Sequence, residues 1–213
     1  MEKDVAVAGH EAILFRDAEE TNRTYNTVWQ DADLTLDVRG DAFSDQADYE
    51  AVLDRVVGVS QDTWFTALPD DTVFATERAD VIADMLADLP APDGFDASAI
   101  ADDDVTVGRY HVVAAVSQYV LCAWTDEWIA ATESGDEAAA EAAAEAITSA
   151  HDWPILGEID NQGSWSESMW AGADVFAQGM SVSEVAELYG SKEQAADPAP
   201  GLEVYRAVFG CNQ

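Results

Sequence analysis

The chain has 213 residues, 48% of them hydrophobic, which is enough apolar material for a proper core and excludes a disordered acidic tail. It carries 43 Asp and Glu against 9 Lys and Arg, a formal charge of −34, with no basic block, so binding a nucleic-acid backbone is excluded as a function class. The excess reads as adaptation to a salt-rich or exterior environment, where screening over roughly 3 Å at 1 M salt removes self-repulsion. Mimicry of nucleic acid toward a basic partner is the sharper alternative. Lys3 and Lys192 are the only lysines, while Ala and Asp abound.

In chain order, Ile13, Leu14 and the Glu19/Arg23 pair predict an amphipathic helix running to about Trp29. Leu34, Leu36 and Val38 alternate and predict one short strand or hairpin within 33–40. Tyr49, Val52, Leu53, Val56 and Val57 recur at helical spacing, followed by Trp64 and Phe65, and Pro69-Asp70-Asp71 turns the chain. A further helix is expected from Thr76, whose hydroxyl can cap it, with Val81, Ile82, Met85 and Leu86 on one side. Residues 90–104 are rich in Pro, Gly, Ser and Asp. They read as an inter-helix loop of one domain spanning 1–213, with a boundary between a 1–90 part and a 105–213 part as the alternative.

The second half is more legible. Val112, Val116, Val120, Trp124 and Trp128 step by four, flanked by Val113, Leu121 and Ile129, which predicts a core helix. Gly135 serves a left-handed cap and Asp136 caps the next helix, where Glu137, Glu141 and Glu145 share a solvent face and alanines permit close approach, so an antiparallel hairpin follows. Beyond Asp152-Trp153-Pro154, helices are expected over about Ser164–Gln178 and from Ser181 or Ser183. Pro198-Ala199-Pro200-Gly201 turns the chain before Val204, Tyr205, Val208 and Phe209. No stretch reaches the roughly 18 uncharged apolar residues of a membrane span, and Met1–His10 lacks a basic flank and an apolar run, so no membrane insertion is expected of the given residues. The two cysteines, Cys122 and Cys211, would be unrelated thiols in a cytosolic protein and a single bridge in an exported one.

Arg109-Tyr110, Leu121-Cys122-Ala123-Trp124 with Glu127-Trp128, Gly135-Asp136 before an Ala-rich helix, Asp152-Trp153-Pro154-Ile155-Leu156, and Tyr205 with Gly210-Cys211 occur in this order. Over about residues 90–213 the chain thereby resembles a family of uncharacterised actinobacterial proteins, each an acidic helical ectodomain behind a signal or single membrane anchor. The resemblance implies a disulfide between Cys122 and Cys211, and an extracellular or cell-surface location. It implies no activity.

For chemistry, Asp126 and Glu127 beside Trp124 and Trp128 invite a carboxylate pair in an aromatic cleft, as a hydrolase would use, yet adjacent helical residues diverge by about a hundred degrees. Solvated acids rimming a core face explain them as well. Cys122 with His111 or His151 lacks the electropositive setting a thiolate needs, and His10, His111 and His151 share no ligand spacing. Glu158, Asp160, Gln162 and Gly163 imitate the start of a calcium loop, but its twelfth position is Met169. Clusters such as Asp102-Asp103-Asp104 or Asp31/Asp33 would gather divalent cations weakly and without specificity; neither a dedicated metal site nor a cofactor is expected. Trp153, Trp165 and Trp170, with Asn161 and Gln162, either line a groove for a sugar or peptide or close the helical core. The sequence thus predicts an all-α or nearly all-α irregular helical bundle with a long hairpin, acting outside the cytoplasm as an interaction or scaffold module for an unidentified protein partner. An extracytoplasmic carboxylate-dependent hydrolase and an acidic DNA-mimic inhibitor are the alternatives.

Overall fold

A computed structural model describes residues 2–16, 24–41, 43–101, 105–190 and 201–211. Of the described residues, 55% are helical and 16% lie in strands, so the all-α expectation is wrong: the fold is mixed, with a four-stranded antiparallel sheet near its start. Contacts divide it into two compact units, residues 1–68 and 69–213. The Pro- and Gly-rich stretch 90–104 falls inside the second. The Glu19/Arg23 pair and Asp102-Asp103-Asp104 lie outside the described residues, as does most of the turn at 198–201.

The first unit is a meander of β1 (Glu2–Val7), β2 (His10–Arg16), β3 (Tyr25–Asp31) and β4 (Leu34–Gly40), in that spatial order. Where one helix was expected through Trp29, there are three strands. The controlling period is 2: Ala12 and Leu14 are buried, as are Tyr25, Thr27 and Trp29, while residues between them turn the other way. Ile13 and Leu14, which suggested a helical face, therefore stand on opposite faces of the sheet. The β1–β2 turn is Ala8-Gly9, with φ of 51° and 88°, the two left-handed residues of a type I′ hairpin. The strand expected within 33–40 is present as β4.

Helix α1 (Gln46–Leu53) is capped by Asp45 and covers the inner sheet face with Tyr49 and Leu53. Tyr49 is fully buried, stacks on Tyr25 with ring centres 5.1 Å apart, and donates to the Val38 carbonyl at 2.6 Å. Its hydroxyl also lies 2.9 Å from Thr27 Oγ1. Burial raises its pKa, as expected for a phenol kept neutral among apolar side chains. A short helix, α2 (Gln61–Phe65), follows, so the apolar run 48–68 is two helices with a break between them.

The second unit begins with β5 (Thr72–Val73), which pairs antiparallel with β6 (Val107–Gly108). Between them lie α3 (Arg78–Ala87) and the single turn α4 (Ser98–Ala101). The helix is capped at Glu77 without a side-chain bond, not at Thr76. Buried Arg78 donates from Nε to the Ile100 carbonyl at 3.0 Å, tying α3 to α4.

The long helix α5 (Arg109–Ser134) is the axis of this unit, with Val112, Val113, Val116, Val120 and Leu121 fully buried. Gly135 ends it with φ 74°, and Asp136 accepts the Ala139 amide to start α6 (Glu137–Thr148) after a two-residue connection. A 3-10 turn leads to α7 (Pro154–Ile159), α8 (Trp165–Ala177) and α9 (Val182–Tyr189). Ser181 and Glu184 form a reciprocal capping box at the start of α9. A 3-10 helix, Leu202–Phe209, buries Val204, Tyr205, Val208 and Phe209, and Gly172 of α8 lets the Phe209 ring approach so closely that a Cβ there would overlap it. Cys211 follows, bonded to Cys122 of α5. No described helix is long and apolar enough to cross a membrane.

Three carboxyls sit below their ordinary range: Glu50 through Lys3 and then Gln46, Glu184 through the Ser181 hydroxyl and then its amide, and Asp96 through the Ser98 amide. Their folded pKa is the lower one, so their stabilising effect is complete above the ordinary value, 4.5 for the two glutamates, and is lost as pH falls through the folded values. With self-repulsion screened by about 1 M salt, the thermal midpoint is expected to fall on acidification below that point, and less steeply in Ser181→Ala. Circular dichroism melts across the pH range test this; a midpoint indifferent to acid would contradict it.

Candidate functional site

The three tryptophans singled out in the sequence are drawn inward. Trp153 is 4% exposed and donates from Nε1 to Ser149 Oγ at 3.0 Å. Trp165 donates to Ser117 Oγ at 3.1 Å, and Trp170 to the Ala150 carbonyl at 3.1 Å while stacking beside His151. Each indole N–H has an internal acceptor, the usual arrangement for a tryptophan closing a core. Asn161 and Gln162 stand on the exposed turn between α7 and α8.

The acids beside the α5 tryptophans are also accounted for. Trp124 donates to the Pro90 carbonyl, and Trp128 packs against Phe176 and Tyr205. Asp126 accepts from Arg206 Nε at 2.7 Å, and this bond raises the Arg206 pKa, while Glu127 is exposed on the neighbouring face of the helix. Both acids border a shallow depression shared with the 92–96 loop. Cys122 is in a disulfide and offers no thiolate; His151 pairs with Asp174 at 3.0 Å, and His111 is exposed. Glu158, the first residue of the calcium-loop likeness, is held in a two-pronged pair by Arg109 at 2.5 and 3.0 Å, and Met169 is buried. Among the described residues, no group of three His, Cys, Asp or Glu stands together as metal ligands would.

The surface that sequence reading missed is the outer face of the first unit's sheet. Strand register aligns Asp4, Ile13, Val28 and Asp37 in one cross-strand row, and Glu2, Phe15, Asn26 and Arg39 in another. Ile13 is 44% exposed, with Phe15 and Val28 half-buried beside it, and a groove of about 360 Å³ runs between Glu11, Ile13, Phe15 and Val28. No alternation marks it in the sequence, because Ala12 and Leu14 point inward while Ile13 and Phe15 point outward, leaving one continuous apolar run.

The disulfide is the other distinctive element. It joins the middle of α5 to the last described residue, with Cα atoms 5.5 Å apart and 89 positions between them in sequence. Gln118, one turn before Cys122, donates to the Phe209 carbonyl at 2.9 Å and so reinforces the same junction. Compared with models of protein families, with curated proteins and with solved structures, the chain matches none of them.

Proposed function

We propose that the chain is an extracytoplasmic interaction module whose acidic surface suits salt-rich surroundings. The observation that carries this reading is the Cys122–Cys211 bridge, because such bonds persist in oxidising compartments and are reduced in the cytosol. The same pairing is implied by the likeness to acidic actinobacterial ectodomains, and the exposed apolar stripe on the sheet supports contact with a partner. The hydrolase alternative gains no support from Asp126, which is bonded to Arg206.

Two measurements test the proposal. In protein isolated from its native host without reductant, intact mass is expected to rise by two hydrogens on reduction, and cell fractionation is expected to place the chain outside the cytoplasm. Two free thiols in that material would end the exported reading. Raising potassium chloride from about 0.1 M to about 1 M shrinks the screening length from roughly 10 Å to roughly 3 Å, so the thermal midpoint is expected to climb. A midpoint that falls or stays level with salt would remove the adaptive reading of the charge.

A further inference from the structure

We infer that the outer face of the four-stranded sheet is a docking site for a basic amphipathic helix of a partner protein, an apolar stripe bordered by Lys or Arg on the side that faces β1. The inference rests on the interaction-module reading and adds the place and chemistry of contact.

In the row Asp4–Ile13–Val28–Asp37 the two central strands offer an apolar pair and the two edge strands a carboxylate each. Phe15 extends the apolar stripe along β2, exposed Glu2 lengthens the acidic border on β1, and exposed Glu11 stands at one end of the stripe. On β4 Arg39 bonds Asp37 from Nε and Nη2, so that border carries no net charge. An occupant therefore meets a narrow apolar floor with an acidic wall along β1, and opposite charge on that flank is what complements it.

Dimensions select the shape. Asp4 and Asp37 lie on strands three spacings apart, about 14 Å, and an α-helix with its side chains is about 10–12 Å across. A helix lying along β2 and β3 would put its apolar stripe on Ile13, Val28 and Phe15 and its flanking cations over Glu2 and Asp4 of β1. The groove beside Ile13 receives a side chain of that stripe.

Charge also argues against a second copy of the chain as occupant. It would bring another −34 against this wall.

The test uses the full chain and a labelled synthetic helix with a leucine stripe flanked by lysines, read by fluorescence anisotropy beside the same helix flanked by glutamates. Ile13→Asp is the deciding variant. It adds a negative charge, so attraction by charge alone, as a DNA mimic would use, predicts tighter binding. Docking on the apolar floor predicts binding weakened by about tenfold or more. A combined Glu2→Lys and Asp4→Lys change is expected to weaken the lysine-flanked helix similarly, while Glu141→Lys on the exposed face of α6 leaves it unchanged. Far-ultraviolet circular dichroism confirms that each variant is folded.

Wild-type preference for the lysine-flanked helix, lost in Ile13→Asp, supports the proposal. Equal binding by wild type and Ile13→Asp overturns the sheet face while leaving the interaction-module reading in place. No binding of the lysine-flanked helix overturns the partner chemistry, and the module reading then stands or falls on the mass and fractionation measurements alone. Self-association of the chain in sedimentation that Ile13→Asp abolishes would give the face to a second copy and also overturn it.

Discussion

Replacing Cys122 and Cys211 together with serine is expected to lower the unfolding free energy of residues 69–213 by about 4.5 kcal/mol. The bridge closes a loop across 89 positions, and the chain-entropy relation for a loop of that length gives this magnitude through the unfolded state. In urea, where a domain of this size has a slope near 2 kcal/mol per molar, the midpoint falls by about 2 M. Tryptophan fluorescence follows the change well, since Trp124, Trp128, Trp153, Trp165 and Trp170 all lie in this unit. Wild-type protein unfolded in the presence of a dithiol should match the double variant. A drop of less than about 1 kcal/mol would mean that the unfolded chain is already held compact without the bond.

The second large effect is expected in the first unit, where Tyr49→Ala should cost about 3–5 kcal/mol. Tyr49 is the fully buried side chain that α1 sets against the sheet, touching Tyr25 and Phe43 by their rings and Val38 by its hydroxyl. A unit of 68 residues has little stability in reserve, so the loss is enough to expose its strands. Hydrogen exchange at the amides of β3 reads it directly: protection at Val28 and Trp29 should collapse. Tyr49→Phe keeps the ring and removes the hydroxyl, leaving the buried Val38 carbonyl without this donor, and a smaller cost of about 1–3 kcal/mol is expected. Retained protection in Tyr49→Ala would show that the sheet does not depend on this anchor.

How much of this the sequence disclosed depended on whether one period dominated a segment. The α5–α6 hairpin was legible because Val112 to Trp128 repeat every four residues and because Gly135 and Asp136 have a single local use each. The start of α9 was narrowed only to Ser181 or Ser183, and the reciprocal bonds of Ser181 and Glu184 put it at Ser181. The first thirty residues were not legible, for a physical reason. In β2 an apolar residue occupies both faces, so Ile13-Leu14-Phe15 is a continuous run with the alternation hidden inside it. The hairpin turns are Ala8-Gly9 and Ala32-Asp33 in place of the Asn-Gly that signals a tight reversal, and Ala8 and Ala32 both take φ of 51° at a position alanine seldom occupies. The sheet's exposed stripe was invisible for the same reason, because a face exists only after the period is known. The tryptophans at 153, 165 and 170 were visible at once, but sequence could not say whether their indoles pointed inward; the acceptors that hold them, Ser149, Ser117 and Ala150, come from other turns of chain.

The junction of Cys122 with Cys211 also sets an order of events. The α5–α6 hairpin needs only neighbours in sequence and can form within microseconds of its residues becoming free. The groove at Gly172 must wait for Phe209, and the sulfur at Cys122 for Cys211, which lies 89 positions further on. Until then the aromatic slot against Phe176 stands open to water, and a thiol at the middle of the longest helix is available to any other thiol it meets. Maturation of this unit therefore finishes at its C-terminal end, and an oxidant encountered before residue 211 is in place would trap the wrong bond.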